Sequence, residues 1–363
     1  MSIKRIIEEF DRWTPGREPL VLATVYATEG STYSKAGQRI LINNDGESFG
    51  LISGGCLEGD LAGHAHTVFV SGDARTVTYD LSEEAGLSWG LGVGCDGVMK
   101  ILLQRLDAEH DYEPFRTLAA RHRAHKDNGS CVTVIESEDR DLRPGATLID
   151  WGNDAFCWQM PDDRRDAISN QTDTLGELDR PKLLRQPSRG GAFVALHTPI
   201  RPIPRLLILG AGPDATPLVN IANETGWLVT IVDHRQANMN NPELGVAEQT
   251  LCLPHESFPG ELDLHTFDAA VIMSHNLEAD GAYLKTLSQQ TDIPYVGLLG
   301  PSARRQLLLK EHELQKTNFS ARLYGPAGLN IGADSPETIA LSIMAEIQQA
   351  YYQNSEEQDD TNA

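Results

Sequence analysis

The chain has 363 residues, 40% of them hydrophobic and 23% charged, with a formal net charge of −22, a length that accommodates two domains with separate cores. The charge excludes nucleic acid and an anionic membrane surface as partners, because both require a basic footprint. Cys56, Cys95, Cys131, Cys157 and Cys252 show no C-x-x-C spacing, so neither a disulfide framework nor a structural zinc site is suggested, and a reducing cytoplasm fits.

In chain order, "MSIKRIIEEFDRW" places Ile3, Ile6, Ile7 and Phe10 at helical spacing, the pattern of an amphipathic helix rather than of a signal peptide. "LVLATVYATEG" reads as a strand, and "QRILINNDGESFGLIS" as strand, Asn-Asp-Gly turn and strand. Between them Gly30, Ser31 and Thr32 are followed by Lys35 and Arg39. Those amides, hydroxyls and cations either suit an oxyanion or decorate a hairpin connection. In "LISGGCLEGDLAGHA", Gly54 and Gly55 permit close backbone approach, while Cys56, Glu58 and Asp60 supply a soft sulfur and two acids. A helix starting here has a dipole that biases Cys56 toward thiolate. His64 and His66 lie two apart on it and face different sides, a poor metal pair. "TVTYDLS" and "GVMKILLQRL" read as strands, separated by "SWGLGVGCDGV", where Cys95 again stands among glycines with an acid beside it. Either both cysteines are small buried hydrophobes, or the two loops converge on one pocket.

Residues 1–110 thus form an N-terminal α+β domain, and residues 111–202 a middle region and linker that partly extends it. The middle region mixes a helix in "YEPFRTLAARHRAH", a strand in "SCVTVIES" and a loop-like stretch from Asp162 to Arg180. The prolines of "TPIRPIP" mark the entry to the next domain.

Residues 203–350 follow a βαβ pattern. "RLLILGAGPDATPLVNIANETGWLVTIVDHR" is strand, glycine turn, helix and strand, and "FDAAVIMSHN" and "PYVGLLG" add further strands. The pattern is that of a Rossmann-like, doubly wound parallel sheet, so the fold class is α/β. Gly210, Gly212 and Ala215 give G-x-G-x-x-A, and Asp233 ends the next strand where a ribose-binding acid belongs. The turn either holds a phosphate or serves close helix packing. His275 ends a strand and is either a crevice residue or a structural one. Gly300, Ser302, Arg304 and Arg305 open a helix that either receives an anion or faces water. "SPETIALSIMAEIQQAYYQ" is the closing helix, with Ser335 as N-cap. Residues 351–363 read as a disordered acidic tail. No apolar run approaches the roughly 20 residues needed to span a bilayer.

Three segments of the first half, "EGSTYSKAGQRILI", "GLISGGCLEGDL" and "GLGVGCDGVMKILLQRL", resemble the XdhC/CoxI family of xanthine dehydrogenase accessory proteins. The second half adds "LLILGAGPDATPLVNIANETGWLVTIVDHR", "VIMSHNLEAD", "YVGLLGPSARR" and "GPAGLNIGADSPETIALSIMAEI". The likeness covers residues 20–106 and 205–348, and departs at Asp96, where members often carry glycine.

The resemblance implies a cytoplasmic chaperone rather than a turnover enzyme. Such a protein binds molybdenum cofactor (molybdopterin, with or without a cytosine nucleotide), protects it while an oxo ligand is replaced by sulfur, and inserts it into a xanthine dehydrogenase-like molybdenum hydroxylase. A cysteine desulfurase is the expected second partner, and homo-oligomerisation fits the family. On this reading Cys56 and Cys95 lie near the metal or sulfur end, Glu58 and Asp60 orient their loop, and the Gly210 turn and Asp233 hold the phosphate or nucleotide end. Gly30, Ser31, Thr32, Gly54, Gly55, Gly212, His275, Gly300 and Arg304 complete the cofactor-binding set. The competing reading, an NAD(P)-dependent oxidoreductase with His275 as acid or base, explains Gly210, Gly212 and Asp233 but leaves both cysteine loops unexplained. A third is an interaction protein whose Rossmann domain holds no ligand.

Overall fold

The first seven residues of β1 (Leu20–Ser31) are all buried, as in a strand covered on both faces. The computed structural model describes residues 1–55, 57–81, 96–124, 128–152, 154–165, 168, 180–188, 190–290, 293–315, 319 and 323–360. Two compact units divide the chain, Met1–Pro202 and Ile203–Ala363.

In the first unit, β1 is central to an antiparallel sheet with β2 (Arg39–Asn43), β3 (Ser48–Phe49), β4 (Arg75–Asp80) and β5 (Asp96–Leu106), ordered β3-β2-β1-β5-β4. Alternation along β1 puts Val21, Ala23 and Val25 in one cluster with Leu61, Ala65 and Val68 of helix α2 (Glu58–Ser71). Helix α1 (Ile3–Trp13) buries Ile6, Ile7 and Phe10, and the Phe10 ring meets Tyr112 and, on α3 (Phe115–Arg123), Phe115, with centroids 5.6 and 5.0 Å away. On the other face of the sheet, Tyr26 and Leu102 meet Ile135 and Leu196 of a second sheet.

This second sheet comprises β6 (Gly129–Ser137), β7 (Thr147–Asp150), β8 (Ala155–Trp158), β9 (Lys182–Ser188) and β10 (Gly191–Ile200), ordered β8-β7-β6-β10-β9 and antiparallel throughout. The middle region is therefore chiefly a run of hairpins. Its shorter strands hide this in the sequence: β8 is four half-buried residues with no alternation, and β9 carries Lys182, Arg185, Gln186, Pro187 and Ser188. Most of the expected loop at 162–180 lies outside the described residues.

The second unit is a six-stranded parallel sheet of β11 (Arg205–Leu209), β12 (Leu228–Asp233), β13 (Gln249–Cys252), β14 (Ala269–Ile272), β15 (Tyr295–Leu298) and β16 (Leu323–Tyr324). Their order, β13-β12-β11-β14-β15-β16, is that of a doubly wound dinucleotide fold, with the direction of winding reversing between β11 and β14. Along β11, Leu206 and Ile208 join one core with α4 (Ala215–Glu224), while Leu207 and Leu209 join the opposite core with α5 (Leu277–Gln290) and α6 (Ser302–Glu311). The closing helix α7 (Pro336–Asp360) contributes Ile343, Met344 and Ile347 to the first of these cores. It continues to Asp360, through residues whose acidity suggests an unstructured tail. Among the described residues, no helix is long and apolar enough to cross a membrane.

Gly210 joins β11 to its crossover at the reversal point. Its φ is +128°, and a Cβ there would stand 2.6 Å from the backbone of Met273 and Ser274 beyond β14. Neither backbone can yield without breaking the β11–β14 pairing. Gly210→Ala should therefore lower stability by roughly 2–4 kcal/mol in urea unfolding. Gly260→Ala, where an added methyl meets nothing within 4 Å, should be close to neutral.

Candidate functional site

Glu58 opens α2, and its carboxylate is buried. A buried carboxylate must collect donors, and this one takes them from the preceding loop. The Ile52 and Ser53 amides donate to Oε1 at 3.0 Å each. The Ser53 hydroxyl donates to Oε2 at 2.6 Å, as do the Gly55 and Leu57 amides at 3.1 and 3.2 Å. Burial pushes the Glu58 carboxyl up, but the Ser53 hydroxyl and the loop amides outweigh it and hold the group below the usual carboxylate range. The chain curls back on itself here through Gly54 and Gly55, at φ +80° and +110°. The Leu57 amide also donates to Ser53 Oγ, at 2.8 Å, so both chain neighbours of Cys56 are tied to the Glu58–Ser53 pair. The positive end of the α2 dipole, expected to favour a thiolate at Cys56, meets the Glu58 carboxylate first.

A second loop is tied to this one. The Thr32 hydroxyl donates to the Ser34 carbonyl at 2.8 Å, and the Ser34 hydroxyl donates to the Leu51 carbonyl at 3.2 Å. Gly30 and Ser31 end β1 opposite Gly97 and Asp96, so the chain neighbour of Cys95 is paired beside the same loop. Gly30, Ser31, Thr32, Gly54, Gly55 and Glu58 are brought together; Cys56 and Cys95, assigned as metal ligands from the sequence, lie outside the described residues. Asp60 has a different employment. Its Oδ2 accepts from the Tyr79 hydroxyl at 2.7 Å and stands 3.4 Å from His64 Nε2. Burial and this bond together push the Tyr79 phenol up. Among the described residues, no three His, Cys, Asp or Glu side chains group as a metal site.

In the second unit the expected cofactor residues sit around the reversal point, but each charge among them already has a partner. Asp233 is fully buried at the end of β12. Its Oδ1 accepts from the Arg235 amide and Nε at 2.8 and 2.9 Å. Its Oδ2 accepts from the Ala211 amide, Arg235 Nη2 and Asn238 Nδ2 at 2.7, 2.8 and 3.1 Å. Burial raises its pKa, and the Arg235 guanidinium with the other donors outweighs this and lowers it far below the ordinary value. A carboxylate has about four lone-pair sites, so five donors leave no lone pair for a ribose hydroxyl. His275, at φ +59°, places Nε2 at 2.7 Å from Asp214 Oδ2, directly over the glycine turn. A Cβ at Gly212 would come within 2.6 Å of the Asp214 carboxylate, which thus puts a negative charge against the turn, unfavourable to a second anion there. Gly300 precedes α6, and the Arg304 side chain folds back to donate to buried Asp280 at 2.7 Å.

Sequence reasoning did not single out Ser53, Ser34, Tyr79, Asp214, Asp280 or Asn238. Ser53 and Asp214 lie inside the glycine-rich motifs and had a positional signal. The others become visible only through their partners.

Two outcomes follow from these contacts. Glu58→Gln puts an amide NH₂ against donors and should destabilise the loop by about 1–3 kcal/mol, read as faster hydrogen exchange at Ile52, Ser53, Gly55 and Leu57. In the unsubstituted chain that protection is complete above the ordinary glutamate value of about 4.3 and is lost as pH falls through the depressed folded value; the variant should show no such dependence. For the second unit, neither NAD nor NADP should raise the melting temperature. A nucleotide-specific rise would mean that the Asp233–Arg235 pair opens.

The Rossmann-like half and the N-terminal half each have counterparts among known proteins. Residues 206–347 match the XdhC Rossmann domain, and residues 13–80 match the XdhC and CoxI family. A probable xanthine dehydrogenase subunit of Bacillus subtilis is 33% identical, over 91% of this chain and 93% of that one. The molybdenum cofactor insertion chaperone PaoD of Escherichia coli is 21% identical, over 90% of this chain and 82% of that one. A crystal structure described as a xanthine dehydrogenase from Bacillus halodurans superposes with a TM-score of 0.75 at 29% identity, covering 97% of this chain and 96% of that one. With both halves matched and a third of the residues shared along nearly the whole length, the chain belongs to the XdhC and CoxI family.

Proposed function

We propose that this chain is an accessory protein that takes molybdenum cofactor as cargo, holds it during sulfuration and passes it to a xanthine dehydrogenase-like molybdenum hydroxylase. The observation that carries this reading is the loop organised by Glu58, in which four amides and a hydroxyl converge on one carboxylate and two of those amides flank Cys56. That loop has four of its amides committed to the carboxylate and not available to an oxyanion. What it offers a ligand is the residue between Gly55 and Leu57, a cysteine, whose sulfur suits a soft metal centre.

The pairing of Ser31 with Asp96, and the bond from Ser34 to Leu51, support a role for Cys95 in the same neighbourhood. The cofactor supplies the metal and its exchangeable ligand; the chain binds and orients it, and a cysteine desulfurase supplies the sulfur. The chaperone named among the relatives supports molybdenum cofactor as the cargo. Asp233, Asp280 and Asp214 are each matched by a cation or a histidine of the chain itself, which favours a carrier over a nucleotide-dependent oxidoreductase.

The test is the molybdenum and pterin content of protein purified anaerobically from cells that make the cofactor. Near-stoichiometric molybdopterin is expected, falling at least tenfold in Cys56→Ser and in Cys95→Ser, with loss of hydroxylase activation. Protein free of molybdenum and pterin refutes the carrier, and two cysteine variants that bind and activate normally refute the assigned site.

A further inference from the structure

The strongest unassigned feature is a cavity of about 250 Å³ in the first unit, below α1. It lies just under the range of roughly 300–1,000 Å³ usual for drug-sized ligands, so a small ion with water fits it. Ile3 and Ile6 of α1 form one wall, and Lys35, Arg39, His122 and Thr198 supply its polar groups. Among the described residues no carboxylate lines it, on a chain whose formal net charge is −22.

Both cations lack a counter-ion there. Arg39 makes one side-chain hydrogen bond, to Thr198 Oγ1 at 3.3 Å, and neither Arg39 nor Lys35 has an ion pair among the described residues. Burial lowers the Arg39 guanidinium from its ordinary value, opposed by the nearby Cys131 thiol, the direction expected of a desolvated charge. The third group is an acceptor. His122 Nδ1 lies 2.7 Å from the Arg201 carbonyl; a carbonyl only accepts, so Nδ1 carries the proton. Burial pushes the imidazole down to about 4, opposed by that bond and reinforced by the charge of Arg39. At neutral pH Nε2 therefore presents a lone pair, and it is buried with no hydrogen-bond partner.

The frame holding these groups is rigid. The Gly37 amide donates to the Val25 carbonyl at 2.8 Å, and the Val25 amide donates to the Gln38 carbonyl at 2.9 Å. A Cβ at Gly37 would stand 2.8 Å from Pro181 Cγ, so the turn carrying Lys35 and Arg39 is pressed against the neighbouring segment.

We propose that Lys35, Arg39 and His122 form a binding site for a phosphate-class oxyanion that carries one proton. The two cations take the anionic oxygens, and the P–OH group donates to His122 Nε2. Sulfate at neutral pH has no proton to give and leaves that lone pair unanswered, so the site discriminates between anions of similar size and shape. The anion is hydrogen phosphate, which keeps its P–OH at pH 7.5; a phosphomonoester, whose second pKa is about 6, is by then a dianion without that proton and should behave as sulfate does. The proposal does not rest on the cofactor-carrier reading.

Calorimetric titration of the full chain at pH 7.5 with inorganic phosphate, sulfate and glycerol 3-phosphate tests it. One saturable phosphate site is expected, with sulfate at least tenfold weaker. Arg39→Gln should weaken phosphate at least tenfold. Lys35→Ala, at an exposed position where folding is not at stake, should weaken it several-fold. His122→Phe should abolish the preference over sulfate. Glycerol 3-phosphate, a dianion without a P–OH at this pH, should bind no better than sulfate. The site is refuted if phosphate fails to bind, if sulfate or glycerol 3-phosphate binds equally well, or if Lys35→Ala and Arg39→Gln both bind as the parent does. The readout involves no molybdenum, so its failure leaves the carrier reading standing.

Discussion

A carboxylate that cannot reach water must be satisfied by the chain around it, and in this protein that requirement fixes what each site has left to give. Glu58 consumes the amides of the loop before α2. Asp233 and Asp280 consume Arg235 and Arg304 at the carboxyl ends of the parallel strands. The crevice that dinucleotide enzymes use for a pyrophosphate is thus charge-balanced internally. The cavity under α1 is the opposite case, with cations and an imidazole lone pair and no acid among its described lining. A conspicuous glycine motif and a site open to an anion therefore occur in different places.

The architecture was legible where burial leaves a period. In β11, the four residues Leu206 to Leu209 divide alternately between two cores, and β1 reads as a strand because it alternates and is rich in β-branched residues. The two sheet types, and the division near residue 203, are visible from such segments. The middle sheet was not, because β8 and β9 carry no clean alternation. The start of α7 is marked by Ser335, while its extension to Asp360 contradicts the local composition.

The candidate sites were legible as segments and not as geometry. Gly54, Gly55 and Glu58 stand close in sequence, so their association is a local matter. Arg304 looked available for an anion because its partner Asp280 lies 24 residues away, and His275 looked free because Asp214 is 61 residues away. Lys35 and Arg39 attracted attention through their position after Gly30, Ser31 and Thr32, yet they line a cavity with His122, which comes from α3 and carried no signal of its own.

Five bonds of the loop before α2 share the Glu58 carboxylate as acceptor, and the Leu57 amide also donates to Ser53 Oγ at 2.8 Å. Bonds arranged in series along a chain can be lost one at a time, each at small cost; bonds sharing a hub cannot. Withdrawing the carboxylate removes the acceptor of Ile52, Ser53 and Gly55 at once and leaves Leu57 with the Ser53 hydroxyl, so the stability of these donors is coupled through one side chain. The start of α2 and the loop before it thus depend on the ionisation of one residue, and an acid proton on Glu58 would be felt at several backbone positions together.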